Sequence, residues 1–178
     1  MALQVALLRG INVGGHRVPM ARLREAFEEL GFTGVRTFIA SGNVVFDGGR
    51  KSAASLERTI EAHLASVLGF DVPTLLRTPA ELHAIVDRVP FSEADVAAAH
   101  AVHVIFLREP LDRAAAAALP ELDTPRDRFA TAGREIYWWC GGPLSETLVP
   151  AKAFGRVLGP RVTTMRNMTM LRRLAATL

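Results

Sequence analysis

Apolar residues recur along the chain at two spacings, and together these predict an alternation of strands and helices. Short runs that are continuously apolar, such as residues 5–8, are typical of buried strands. Met20, Leu23, Phe27 and Leu30 instead recur at helical spacing, and Gly31 ends that helix. The first half therefore predicts the order β-α-β-β-α-β-α, with strands at 5–8, 35–40, 44–46 and 72–76 and helices at 20–30, 56–67 and 79–88.

The second half of the chain repeats this order. The best local match aligns residues 75–78 with residues 164–167, because in each segment a strand ends in arginine and a capping residue opens the last helix. Gly42 and Gly133 likewise occupy corresponding hairpins. The predicted strands of this half are 101–107, 128–131, 135–139 and 161–165, and the predicted helices are 112–119, 150–158 and 168–178.

The repeated order predicts a fold. A β-α-β-β-α-β unit is the ferredoxin-like arrangement, a four-stranded antiparallel sheet with both helices on one face. We therefore predict an α+β protein made of two ferredoxin-like modules, each with a terminal helix, at residues 1–91 and 92–178. We expect the modules to pack closely, since each is small. Residues 89–99, which contain proline and several acidic residues, are the predicted linker.

Composition excludes several classes of protein. The 178 residues are 49% hydrophobic and 22% charged, as in ordinary globular proteins. No apolar run reaches the roughly 18 residues that a membrane-spanning helix needs. The single cysteine, Cys140, excludes a disulfide within the chain, and the N-terminal residues do not resemble a secretory signal. These features predict a cytoplasmic protein.

Charge is informative through its distribution. The formal net charge is only +3, but no acidic residue follows Glu146. A basic C-terminal quarter on a nearly neutral protein predicts a local surface that attracts anions, including nucleic acid. Its basic residues are Lys152, Arg156, Arg161, Arg166, Arg172 and Arg173.

The predicted topology brings two segments together. The first strand ends at the same end of the sheet as the hairpin between the second and third strands, so residues 9–17 and 41–43 should be neighbours. Glycines between a strand and a helix can expose backbone N–H groups to an anion, and arginine can bind phosphate or carboxylate. A structural alternative is that the glycines only supply turn geometry, because the spacing fits neither the Walker A nor the dinucleotide pattern. The candidate ligand-binding residues are Arg9, Asn12, Gly14, Gly15, Ser41 and Asn43.

A second candidate anion site lies at the start of the last helix. It would consist of Lys152, Arg166, Asn167 and Arg173. The alternative interpretation is that Asn167 caps the helix and Arg166 is a solvated surface charge.

No catalytic residue is assigned, and no cofactor or metal site is predicted. His100 and His103 have no accompanying carboxylate or thiol cluster. An enzyme of unassigned reaction remains a third hypothesis beside anion binding and nucleic-acid binding, because catalytic partners can be distant in sequence. The oligomeric state is not predicted.

Several motifs resemble a known family. Residues 6–15 (ALLRGINVGG), Met20-x-x-Leu23, residues 30–32 (LGF) and residues 41–46 (SGNVVF) resemble the bacterial family called domain of unknown function 1697. The resemblance extends to Pro90-Phe91, Ile136-Tyr137 and Thr164-x-Arg166-Asn167, but Met168, Thr169 and Met170 stand where the family usually has Trp-Asn-Thr. It implies paired ferredoxin-like modules and no particular reaction.

Overall fold

A computed structural model describes residues 2–15 and 17–178, and within them it has two four-stranded antiparallel sheets with helices. The chain divides into two compact units between Leu82 and His83, inside the third helix. We call them the first and the second unit. The α+β class with two antiparallel sheets is therefore confirmed.

The first unit has its strands in the order β2-β3-β1-β4, all antiparallel to their neighbours. Gly31 follows the C-cap of α1 with a φ of +80°, as the sequence predicts. Gly69 is the C-cap of α2 with a φ of +78°. The elements are β1 (Leu3–Leu8), α1 (Met20–Glu29), β2 (Thr33–Thr37), β3 (Asn43–Asp47), α2 (Ala53–Leu68), β4 (Thr74–Arg77) and α3 (Pro79–Asp87).

One face of this sheet packs against α1 and α2. Phe27 of α1, Phe32 and Phe46 of β3 form a buried aromatic cluster with ring centroids 4.6–6.1 Å apart. The edge strand β4 is protected by α2, since Glu57 and Glu61 accept hydrogen bonds from the Leu76 and Thr74 N–H groups at 2.9 and 2.8 Å.

The second unit has the order β6-β7-β5-β8, again antiparallel throughout. Short 3-10 turns precede β6 and follow β7. The elements are α4 (Glu93–Ala98), β5 (Ala101–Leu107), α5 (Arg113–Ala118), β6 (Asp127–Ala132), β7 (Glu135–Cys140), α6 (Ala151–Leu158), β8 (Thr163–Asn167) and α7 (Met168–Ala175).

The buried carboxylate of Asp127 is the acceptor of a hydrogen-bond network in the second unit. Asp127 is 2% exposed and accepts four hydrogen bonds of 2.8–3.1 Å. Burial alone would raise the pKa of Asp127, but these bonds outweigh it and hold the pKa below its usual range. The donors are Trp138 Nε1, the hydroxyls of Thr124 and Thr147, and the Leu148 N–H.

Both tryptophans of the chain lie next to each other on β7. Trp138 packs against the rings of Phe129 and Phe154 at 5.0 and 5.6 Å. Trp139 lies under the guanidinium of Arg128, 4.5 Å from the ring centre, and donates to the Asp95 carbonyl at 2.7 Å.

Two predicted elements differ from the structure. The strand predicted at 35–40 is Thr33–Thr37, because residues 38–42 turn into the hairpin and Ile39 has a φ of +49°. The predicted linker 89–99 is not structureless, since Glu93–Ala98 form α4 with Ser92 accepting from the Asp95 N–H at 3.1 Å.

Candidate functional site

The end of β1 and the β2–β3 hairpin meet, as the topology predicted. Leu7 pairs with Asn43, and the Leu8 N–H donates to the Gly42 carbonyl at 2.8 Å. A Cβ on Gly42 would lie only 3.0 Å from the Ile11 Cβ, so the two segments are in close contact. We call residues 9–17 and 38–43 the loop–hairpin site; His16 lies outside the described residues.

Asn12 connects three parts of this site. Its Nδ2 donates to the Ala40 carbonyl of the hairpin at 2.9 Å and to the Val18 carbonyl at 3.4 Å, and its Oδ1 accepts from the Val18 N–H at 2.9 Å. Asn12 also has a φ of +57°, which asparagine tolerates better than most residues. The side chain of Asn12 thus holds the loop against the hairpin. Its contact with a ligand stays a prediction.

The hairpin is held by Asn43, which is the first residue of β3 rather than part of the turn. Its side chain is fully buried and donates to the Phe38 carbonyl at 3.1 Å and to Ser41 Oγ at 2.8 Å. The Phe38 N–H in turn donates to the Asn43 carbonyl at 2.9 Å. Ser41 is half-buried, so of these two candidates only Ser41 is open to solvent.

The arginines of the loop remain available. Arg9 and Arg17 are exposed, and neither guanidinium has a hydrogen-bond or ion-pair partner within the described ranges. Gly14 and Gly15 are exposed as well, with φ of +61° and +94°, and a Cβ on either would meet open space. The site therefore presents two unpaired positive charges beside exposed backbone.

The loop leads into a helix start without a side-chain cap. Pro19 occupies the N-cap of α1 and cannot cap with its side chain, and the first turn holds no acidic residue. The N–H groups of this turn carry the positive end of the helix dipole. Arg9, Arg17 and these N–H groups thus place positive charge along the loop.

In the second candidate anion site, the side chain of Arg166 is buried and hydrogen-bonded within the protein. Arg166 is only 8% exposed, and its Nη1 donates to Thr164 Oγ1 and the Met165 carbonyl, both at 2.8 Å. Burial lowers the pKa of Arg166 to about 10. The interpretation of Arg166 as a solvated surface charge is wrong, because its side chain lies on a buried face of the sheet.

The other members of that set lie on helices. Asn167 caps α7 by accepting from the Thr169 N–H at 2.8 Å, so the capping interpretation is confirmed. Lys152 and Arg173 are exposed on α6 and α7. Their joint binding of an anion stays a prediction.

The basic C-terminal quarter is also partly neutralised. Arg161 pairs with Asp112 at 2.6 Å and donates to the Leu158 carbonyl at 2.8 Å. Asp112 is distant in sequence, so no local pattern could have indicated this pair. The basic residues of the quarter that remain exposed are Lys152, Arg156, Arg172 and Arg173.

Sequence reasoning missed two features of the surface. Val13 and Ile39, one on each segment of the loop–hairpin site, are apolar yet 60% and 44% exposed. An open groove of about 610 Å³ lies in the second unit between α5 and α6, with an alanine-rich floor and Asp112, Arg156 and Arg161 among its lining.

Among the described residues there is no cluster of metal ligands and no membrane-spanning helix, and the cysteine thiol is buried. Residues 2–15 and 17–178 contain no group of three or more His, Cys, Asp and Glu side chains placed to hold a metal ion. Burial raises the pKa of the Cys140 thiol to about 12, which leaves it protonated. Over the same ranges, every helix is too short or too polar to cross a bilayer.

Three comparisons with known proteins give a consistent result. A family model described as "Protein of unknown function (DUF1697)" matches residues 1–137. A comparison with curated proteins found no match. Among solved structures, the conserved bacterial protein SP0830 from Streptococcus pneumoniae is similar, with a TM-score of 0.71 and 24% sequence identity over 98% of this chain and 97% of that chain. At this identity the similarity shows the fold alone.

Proposed function

The chain belongs to the DUF1697 family of proteins of unknown function, and from this premise we propose that it binds a small anionic molecule at the loop–hairpin site. The observation that carries the proposal is the pair of exposed, unpartnered guanidinium groups of Arg9 and Arg17 beside a loop held in place by hydrogen bonds. Both side chains are open to solvent, so an external anion can reach them, and a guanidinium can bind phosphate or carboxylate through two parallel hydrogen bonds.

Each residue has a distinct part in this proposal. Arg9 supplies the charge and can donate two parallel hydrogen bonds to a phosphate or carboxylate. The exposed N–H groups of Gly14 and Gly15 add further donors. Ser41 Oγ already accepts from Asn43, so its hydroxyl proton remains to donate to the ligand. Asn12 acts indirectly, since its amide positions the loop against the hairpin.

Thermal unfolding of the wild type and of Arg9→Ala against a panel of nucleotides, phosphosugars and anionic metabolites tests the proposal. A ligand at about 100 times its dissociation constant stabilises by about 2.7 kcal/mol, which raises Tm by about 5–10 °C for a chain of this size. We expect a shift in the wild type that Arg9→Ala abolishes.

Arg50→Ala is the matched control. Arg50 is also exposed and follows β3, at the far end of the same sheet. A ligand-induced shift that Arg9→Ala keeps, or that Arg50→Ala also loses, would contradict binding at the loop–hairpin site. A panel without any shift would contradict the proposed function itself.

The same proposal includes the organisation of the chain as two ferredoxin-like copies, residues 1–91 and 92–178. Duplication is supported first by the strand order, which is the same in both sheets. The hydrogen bond from the Leu8 N–H to the Gly42 carbonyl also has a counterpart, from the Leu107 N–H to the Arg134 carbonyl at 2.9 Å. In addition, the side chains of Arg77 and Arg166 each donate to the carbonyl of the preceding residue at 2.8 Å.

A second candidate function is nucleic-acid binding through the exposed basic residues of α6 and α7. The exposed side chains of Lys152, Arg156 and Arg172 support this candidate, because none of them has a hydrogen-bond or ion-pair partner within residues 2–15 and 17–178. A labelled oligonucleotide should then bind with an affinity that falls steeply with salt. Absence of binding at low salt, or binding that ignores salt, would contradict this candidate.

A further inference from the structure

The loop–hairpin site exposes apolar surface beside its positive charge. Val13 follows Asn12, and Ile39 precedes Ala40, so each is adjacent to one end of the 2.9 Å hydrogen bond that joins the loop to the hairpin. Their exposed fractions are 60% and 44%. Of the four large apolar residues exposed in the described chain, these two belong to the same site, while Leu148 and Met165 lie in the second unit.

Ile39 is held in an unfavourable conformation. Its φ of +49° lies in the left-handed region, where a β-branched residue is a genuine outlier. Asn12 is the other non-glycine residue with positive φ among residues 2–15 and 17–178. The two strained residues thus lie on the two segments that the Asn12–Ala40 hydrogen bond connects.

Ile39 does not belong to the buried core cluster of the first unit. An isoleucine that is both strained and exposed contributes little core packing, and a glycine or asparagine would adopt the same backbone at lower cost. Backbone strain of this kind is often associated with binding sites. An apolar contact for a ligand accounts for the side chain, because its exposure then ends when the ligand binds.

We propose that the ligand of this site is a phosphate monoester that carries an apolar ring, as a nucleotide does. This inference rests on the proposed function. Arg9 and the Gly14–Gly15 backbone bind the phosphate, and Val13 and Ile39 contact the ring. Val13 and Ile39 are the exposed large apolar side chains of the described part of this site.

Phenyl phosphate and methyl phosphate form a matched pair of probes. Both present the same phosphate monoester group, and only the first carries an apolar ring. Calorimetric titration of the wild type should show phenyl phosphate binding about tenfold more tightly, the effect expected when a small apolar area is removed from water.

Ile39→Asn removes the apolar contact and keeps the backbone, because asparagine tolerates the left-handed region. It should bring phenyl phosphate down to the affinity of methyl phosphate and leave methyl phosphate unchanged. Leu148→Asn removes an apolar side chain of similar exposure, 56% against 44%, from the second unit and should change neither. Arg9→Ala should weaken both probes.

The outcomes separate this inference from the proposed function. If the wild type binds both phosphates equally through Arg9, or if Ile39→Asn keeps the preference for the ring, the inference is wrong and anion binding stands. If the wild type binds neither probe, the assignment of a phosphate monoester is wrong, and the wider panel of anions decides the proposed function separately.

Discussion

The two units join their first strand to the following helix in different ways. In the first unit, residues 9–19 lead from β1 to α1, with three glycines at positive φ and exposed arginines. In the second unit, the shorter segment 108–112 leads from β5 to α5, and Asp112 caps α5 by accepting from the Ala115 N–H at 2.8 Å. Asp112 also neutralises Arg161.

The hydrogen bond that closes this end of the sheet is nevertheless the same in both units. Leu8 donates to Gly42 at 2.8 Å, and Leu107 donates to Arg134 at 2.9 Å. Convergence of strand end and hairpin is therefore a property of the topology and by itself says nothing about ligands. What distinguishes this end of the first unit is the longer loop with its exposed, unpaired Arg9 and Arg17 and the positive φ of Ile39 in the hairpin.

The largest expected effect concerns the buried carboxylate of Asp127 in the second unit. Asp127→Ala should lower the free energy of unfolding by about 3–4 kcal/mol, because it removes four hydrogen bonds to a buried carboxylate and leaves the buried Trp138 Nε1 without an acceptor. Chemical denaturation measures this loss. Asp71→Ala, at an exposed carboxylate, is the control and should change stability little; equal losses would contradict the role of burial.

The same carboxylate predicts a pH dependence. The pKa of Asp127 is lower in the folded state than the unfolded value of about 3.9, so its contribution is fully present above that value. Stability from this group is lost as the pH falls through the folded pKa. Asp127→Asn should therefore flatten the acid side of a stability–pH curve, and an unchanged curve would contradict this assignment.

The two hairpin glycines give the next comparison. Gly42→Ala should destabilise by about 2–3 kcal/mol, since φ is +71° and the new Cβ would crowd Ile11 and Leu8 at 3.0–3.2 Å. Gly133→Ala has a similar φ of +60° but its nearest neighbour is 3.6 Å away, so about 1 kcal/mol is expected. Equal losses measured by denaturation would mean that close packing between loop and hairpin is unimportant.

The loop anchor should have a smaller effect. Asn12→Ala removes hydrogen bonds to Ala40 and Val18 and places alanine at positive φ, with an expected loss of about 1–2 kcal/mol. Asn12→Gly keeps the backbone geometry and should lose less. If both variants unfold like the wild type, Asn12 does not hold the loop.

The smallest expected effect on stability is an increase rather than a loss. Ile39→Asn relieves a β-branched residue at φ +49° and should raise the free energy of unfolding by about 0.5 kcal/mol. Leu148→Asn is the control for loss of an exposed apolar side chain and should be neutral. A loss of stability in Ile39→Asn would show that Ile39 serves the fold.

Sequence patterns predicted the elements whose signals are local. Gly31 follows α1 as expected, and Thr78, the predicted capping residue, forms a capping box with Glu81, with bonds of 2.7 and 3.2 Å. The meeting of β1 with the hairpin also followed from the order of strands.

The errors arose where tertiary context decides. Phe38-Ile39-Ala40 has the composition of a strand, but the chain turns there because Asn43 and Asn12 bind the carbonyls of Phe38 and Ala40. The sequence left Arg166 open between an anion site and a solvated surface charge, because its burial depends on the face of β8 on which it lies. The Ser92–Asp95 capping signal of α4 is present in the sequence, within the segment predicted as a linker.

The position of the tryptophans has a consequence for spectroscopy. Since Trp138 and Trp139 both lie on β7, intrinsic tryptophan emission reports on the second unit, and the first unit is silent at that wavelength. Arg128 stacked on Trp139 and the Trp138–Asp127 bond give the two indoles different surroundings. Comparing emission with circular dichroism during denaturation therefore measures whether the halves unfold together, because coincident curves indicate a single cooperative transition.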